Sequence, residues 1–205
     1  ACADKYIWWF APFFATVPSI VAFVVIPFGK NLIVKDLNVG ILYIAAITSL
    51  GILGIFMAGW GSNNKYSLMG GMRLVAQIIS YEVPLIVSIV TVVIFAGSLS
   101  MQRIVEAQAG CWFILKPNLA LAFLVYLISA TAEVNRTPFD LLEAESVLVA
   151  GFHTEYSGMK FAMFFIAEYT NLFIVSAIAT TLFLGGWQGP LLPPVLWFLI
   201  KTYGI

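Results

Sequence analysis

The residues able to do chemistry in this chain are carboxylates, and they are unevenly placed. Six of the ten acidic residues, Glu133, Asp140, Glu143, Glu145, Glu155 and Glu168, fall between Ser129 and Asn171, where only Arg136, Lys160 and His153 answer them. Apolar segments of helical length lie on both sides, and a charge in or beside such a segment is costly unless it meets water, a partner or a proton. Glu168 lies inside the apolar run that begins at Phe161, and Glu82, in SYEVP, lies inside another. Most charge runs are solvated loops between helices, but ionisable groups within apolar runs point to function. Their chemistry is to bind an ion or to take up and release protons. Glu82 reads as a proton carrier rather than a neutral acid hydrogen-bonded inside a bundle. Pro84, two residues on, loosens the helix and opens a way for water.

Other chemistries have little to stand on. Cys2 and Cys111 lack metal-ligand spacing and read as small packed residues. One histidine and two cysteines cannot supply paired haem ligands or four cluster thiolates, so no metal site is expected. No glycine-rich phosphate loop follows a strand. A formal net charge of zero offers no basic face to nucleic acid.

The elements that must position the carboxylates are membrane helices. The chain is 61% hydrophobic and 10% charged, against about 25% charged in soluble domains, and its mean hydropathy is +0.99. A span needs about 20 mostly apolar residues. The pattern predicts an all-α polytopic transmembrane bundle forming one integral membrane domain over 1–205. Five full spans fall near 6–26, 39–60, 74–96, 112–132 and 161–185, a truncated sixth falls over 188–203, and an acidic loop occupies 133–160. Gly40, Gly51, Gly54 and Gly59 read as helix-packing positions. Residues 59–73, GWGSNNKYSLMGGMR, read as a polar, glycine-rich loop, and SLSMQRIVEAQAG as a short amphipathic helix at the interface. Placing the 59–73 and acidic loops on one side with both chain ends puts Lys5, Lys65, Arg73, Arg136, Lys160 and Lys201 there, against Lys30, Lys35, Arg103 and Lys116 opposite. The six-to-four excess agrees with the positive-inside rule, and the acidic loop is expected to be cytoplasmic, or matrix-facing in a mitochondrion.

EVNRTPFDLLEAE, then LVAGFHTEYSG, then FFIAEYTN, together with GWGSNNKYSLMGGMRLVAQIISYEVPL, VPSIVAFVVIPFG and VKDLNVGILYIAAITSLG, follow one another in the order of a known family. The chain resembles the quinone-site membrane subunit of respiratory complex I, the H-subunit family of bacterial NADH:quinone oxidoreductase, equivalent to mitochondrial subunit 1. Against that family's eight spans the chain is expected to lack the first and the last. The resemblance implies a subunit that closes the membrane end of a quinone tunnel. It would hold no cofactor itself and dock on a peripheral arm whose iron–sulfur and quinone-site subunits, with FMN, carry the electrons. Antiporter-like and small membrane subunits would be its neighbours in the bilayer. By matching motif, Glu82, Glu133, Glu143, Glu145, Glu155 and Glu168 would form a carboxylate path towards the antiporter-like subunits. Arg136, Glu133, Phe139 and Asp140 would belong to the quinone cavity, with Arg136 pairing loop carboxylates or holding the cavity's electrostatics and Asp140 fixing the loop. Glu133, Glu143 and Glu145 would sense quinone reduction, and Glu82 and Glu168 would pass the signal into the membrane. Val147 stands where the family usually has a further acid, and Leu142 where bacterial members often have proline.

The subunit itself would be inactive alone, acting within a proton-translocating NADH:quinone reductase of a bacterial inner membrane or, alternatively, the mitochondrial inner membrane. The other readings are the membrane anchor of a related membrane-bound hydrogenase, a stand-alone ion-coupled transporter, and a structural scaffold. Glu82 and Glu168, inside apolar runs, count against the last.

Overall fold

A computed structural model of the chain describes residues 4–30, 32–139, 151–190 and 192–205. Asp140, Leu142, Glu143, Glu145 and Val147 lie outside the described residues. Among those described, regular structure is helical and there is no strand. The helices are α1 (Lys5–Ala22), α2 (Gly40–Gly61), α3 (Lys65–Ala96), α4 (Met101–Ala107), α5 (Pro117–Glu133), α6 (Met159–Phe183) and α7 (Pro194–Gly204). Short 3-10 turns cover Phe23–Val25, Phe113–Leu115 and Gly151–His153. Among the described residues, four segments are long and apolar enough to cross a bilayer: Lys5–Val25, Gly40–Gly61, Lys65–Ala96 and Met159–Phe183. Large apolar side chains such as Leu42, Val83, Val87, Ile94 and Leu121 are exposed on them and on α5, as suits helices whose solvent is lipid.

Three expected boundaries move. The third helix begins at Lys65 rather than near 74, so most of the presumed glycine-rich loop is helix. Asn63 takes the left-handed conformation (φ 48°). The Asn64 Oδ1 then accepts from the Tyr66 N–H at 3.1 Å, capping the first turn. The helix therefore has 32 residues, about 48 Å, longer than the roughly 30 Å hydrocarbon core. The fourth span, expected over 112–132, is the 17-residue α5. It starts at Pro117, a residue suited to a first turn because its missing N–H would have no helical partner there. The sixth is the 11-residue α7, which cannot begin before Pro193 and Pro194. Pro84 does not interrupt α3.

The chain divides into two compact units. The first comprises Ala1–Val21, Ile47–Glu82 and Thr131–Asn171. Its core is Ala11, Ala15, Ala58, Leu74, Ile78, Phe152, Tyr156, Phe164 and Ala167. Small residues there bring backbones together: a Cβ on Gly54 would lie 2.5 Å from the Ala15 nitrogen, and one on Gly70 3.0 Å from the Gly151 Cα. Gly51, expected to pack likewise, faces open space.

The second unit comprises Ala22–Ala46, Val83–Ala130 and Leu172–Ile205. Its polar centre is two buried side chains. The Gln108 amide donates to Thr181 O (2.9 Å) and accepts from the Gly185 N–H (2.9 Å). The Lys201 ammonium donates to the carbonyls of Leu184 (2.7 Å), Gly186 (3.1 Å) and Gln188 (2.6 Å) and lies 4.5 Å from the Trp112 ring centroid. Carbonyls just past the end of α6 thereby find a donor.

Candidate functional site

The candidate site lies wholly within the first unit and starts where α5 ends. Asn135 takes the left-handed conformation (φ 53°). The Arg136 N–H then donates back to Thr131 O (3.0 Å) and the Asn135 N–H to Ala132 O (3.4 Å). These two bonds close the helix in the usual left-handed C-cap. Asn is one of the few residues other than Gly that enters that conformation at low cost. The cap leaves Glu133 half-buried at the helix end and turns Arg136 away from the helix axis.

Arg136 meets Glu168 on α6, its Nη2 lying 3.6 Å from the Glu168 Oε1. Its guanidinium carbon is 5.1 Å from the centroid of the Tyr169 ring, within cation–π range. The resemblance had implied partners for Arg136 in the loop; among the described residues its ion pair is with the helical Glu168. The carboxylate of this pair is the better shielded, with 19% of its side chain exposed against 40% for Arg136.

Glu82 and Glu133 stand within electrostatic reach of one another. Glu82 on α3 accepts a hydrogen bond from the Ser49 hydroxyl of α2. A proton gained by one of these carboxylates changes the field at the other.

One face of α3 holds the turn in place. The Gln77 Nε2 donates to Ala132 O (2.9 Å), Asn135 Oδ1 (3.2 Å) and, more weakly, Phe139 O (3.4 Å). One helical turn on, the Tyr81 ring meets Phe139 edge-on, centroids 5.2 Å apart. Gln77, Tyr81, Ser49 and Tyr169 were not singled out from the sequence. The available signal was slight: a lone glutamine in the run LVAQII and an aromatic next to Glu82.

Glu155 is exposed, and its carboxylate accepts from the Asn64 side-chain amide at 2.9 Å. It stands at the capped start of α3. Asp140, Glu143 and Glu145, expected as members of the path or cavity, lie outside the described residues. His153 sits in an aromatic nest, its ring 3.8 Å from that of Phe152 and 5.7 Å from that of Phe161. Next to it Tyr156 stacks on Trp8 at 5.5 Å. The Tyr156 hydroxyl is buried with no hydrogen-bond partner among the described residues, and burial pushes its phenol well above the ordinary range. Lys160 closes this side, its ammonium 3.2 Å from the Trp8 ring centroid. Among the described residues no three His, Cys, Asp or Glu side chains gather as a metal site.

Among the described residues the arrangement holds two carboxylates in electrostatic reach of one another, a carboxylate–guanidinium pair and a hydrogen-bonded turn. Such groups can hold protons and respond to a nearby change of charge. No nucleophile with an adjacent base is among them.

The pattern of the NADH dehydrogenase family matches residues 1–205. The H subunit of the NADH-quinone oxidoreductase of Dehalococcoides mccartyi is 61% identical over 199 residues, covering 97% of this chain and 56% of that protein. One such H subunit of Geobacter sulfurreducens, numbered 2, is 52% identical over 211 residues, covering 98% of this chain and 64% of that protein. The H subunit of Carboxydothermus hydrogenoformans is 51% identical over 205 residues, covering 98% and 58%. The chain thus spans somewhat more than half the length of the curated relatives it matches. Identity of this order along nearly all of its length means that the chain belongs to the NADH dehydrogenase family, the family of the H subunits of NADH-quinone oxidoreductase.

Proposed function

We propose that this chain is part of a membrane subunit of a proton-translocating NADH:quinone oxidoreductase, and that it lines the membrane end of the quinone cavity. Glu133, Arg136, Phe139 and Asp140 border the cavity. Glu82, Glu133, Glu143, Glu145, Glu155 and Glu168 carry the protonic response away from it. The observation that carries this reading is the ion pair by which Arg136, in the turn after α5, meets Glu168 inside the apolar α6, with Glu82 of α3 within electrostatic reach of Glu133. The names of the relatives support the same reaction class and give no support to a hydrogenase anchor or a stand-alone transporter.

Reduction of a quinone takes two electrons and two protons. The electrons come from FMN and iron–sulfur groups in peripheral-arm subunits, and quinone is the substrate. This chain contributes no redox group and has no activity by itself. Charge arriving at the quinone draws protons onto nearby carboxylates. A change at Glu133 is felt at Glu82, whose Ser49 hydrogen bond holds it in place. A change near Arg136 is felt at Glu168. Antiporter-like and small membrane subunits receive the signal, in the inner membrane of a bacterial cell.

The test uses the full-length subunit in its assembled complex in inverted membrane vesicles. Glu82→Gln and Glu133→Gln are expected to lower proton uptake per electron several-fold while NADH oxidation by an artificial acceptor stays at the parental rate. Both variants pumping with the parental ratio of protons to electrons would overturn the reading.

A further inference from the structure

We propose that Gln77 is a positioning residue for the quinone-site turn: its single side-chain amide clamps the start and the end of residues 132–139 and so sets where Glu133 and Arg136 stand. The inference rests on the proposed function for its catalytic consequence, but not for its structural one.

One NH2 group carries two protons. Here it faces three acceptors that no local sequence relation connects to it: Ala132 O, Asn135 Oδ1 and Phe139 O, which are 55, 58 and 62 positions away. The first belongs to the last turn of α5. The second is the side chain of the residue in the left-handed cap conformation. The third lies beyond Pro138, at the far end of the turn. The backbone bonds of the same segment, Arg136 N–H to Thr131 O and Phe139 N–H to Arg136 O (2.8 Å), close it from within. Gln77 closes it from outside, from a helix anchored by the buried Leu74 and Ile78 on either side of it. The Arg136 side chain is 40% exposed and reaches Glu168 across to α6, so its aim depends on how its own peptide is held. Loss of the clamp frees the peptide that aims the guanidinium. Glutamine is suited to this because it donates without titrating. A carboxylate in its place would set one negative charge against three oxygen acceptors, and its protonated form would restore one donor.

The variants are Gln77→Leu and Gln77→Glu in the full-length subunit within its complex, in membranes. Amide hydrogen exchange of the peptide covering 132–139 is measured first. With Gln77→Leu its exchange is expected to quicken about tenfold while that of the α3 peptide is unchanged; unchanged exchange over 132–139 overturns the inference. Quinone-reductase activity, relative to the parent at each pH, is measured next. For Gln77→Leu the deficit should be about tenfold and level from pH 6 to 8.5. For Gln77→Glu it should be within about threefold at pH 6 and tenfold or more at pH 8.5. The ionisable groups of the described elements around it, Arg73, Tyr81, Glu82, Glu133, Arg136, Glu168 and Tyr169, and Asp140 that follows Phe139 in sequence are common to both proteins, so the ratio isolates position 77. Where Gln77→Leu loses activity, a Gln77→Glu deficit equally level across pH overturns the clamp. Quickened exchange with full parental activity in both variants supports the clamp and counts against the quinone-site reading instead.

Discussion

Arg136 and Glu168 should show a measurable and asymmetric coupling. At 3.6 Å, two unit charges attract by about 4–5 kcal/mol at an effective dielectric of about 20. Arg136 is 40% exposed, so screening and the ordering of its long side chain remove most of this, leaving about 1 kcal/mol net. The two halves are not equivalent. Glu168 is the better shielded, so removing Arg136 strips a counter-charge from a desolvated carboxylate. Removing the Glu168 charge leaves a partly exposed guanidinium that keeps the Tyr169 ring. Arg136→Gln is therefore expected to cost about 2 kcal/mol, Glu168→Gln about 1 kcal/mol, and the double variant no more than about 2 kcal/mol. The assay is unfolding of the full-length protein in mixed detergent micelles with rising dodecyl sulfate, followed by tryptophan fluorescence. Single-variant costs that add to within about 0.3 kcal/mol, or a Glu168→Gln cost above that of Arg136→Gln, would refute the reasoning.

The remaining predictions use the same unfolding assay. Gly54→Ala forces a methyl against the Ala15 backbone and should destabilise by about 1–3 kcal/mol, whereas Gly51→Ala, in open space, should be neutral or stabilising by up to about 1 kcal/mol. Lys201→Met leaves the carbonyls of Leu184, Gly186 and Gln188 short of a donor and should cost about 2–4 kcal/mol. Tyr156→Phe removes a buried hydroxyl with no partner among the described residues and should be neutral or stabilising by about 1 kcal/mol at pH 8. Because burial raises the Tyr156 phenol in the folded chain, its stabilising contribution is complete below the unfolded value of about 10. It is lost as pH rises from there towards the folded value. Stability of the parent should accordingly fall more steeply than that of Tyr156→Phe between pH 9.5 and 11 (about 1 kcal/mol of difference); parallel curves would refute the burial argument.

Much of the fold was legible because a membrane helix is a local object. Its backbone bonds are made within one segment, and its solvent asks only for a long enough apolar run. Hydropathy therefore located Lys5–Val25, Gly40–Gly61 and Met159–Phe183 closely. It failed at Lys65, where glycines and polar residues resembled a loop. The reason is that Gly70 serves close backbone contact with Gly151, a fact about a segment far along the chain. The same weakness made Gly51 look like a packing residue, since glycine in a run does not say what stands opposite.

For the site, residue type and surroundings singled out the candidates: carboxylates within and beside apolar runs, where an unpartnered charge is costly. The order of motifs determined the family. Tertiary structure alone decided who meets whom. It brought Glu82 to Glu133, joined Arg136 to Glu168 and Tyr169, left Glu155 at the surface with Asn64, and set Gln77 on three acceptors at once. Ion pairs and hydrogen bonds weaken within a few ångströms or a few tens of degrees. Their partners are therefore chosen by how helices distant in sequence approach one another, which the linear order of residues does not contain.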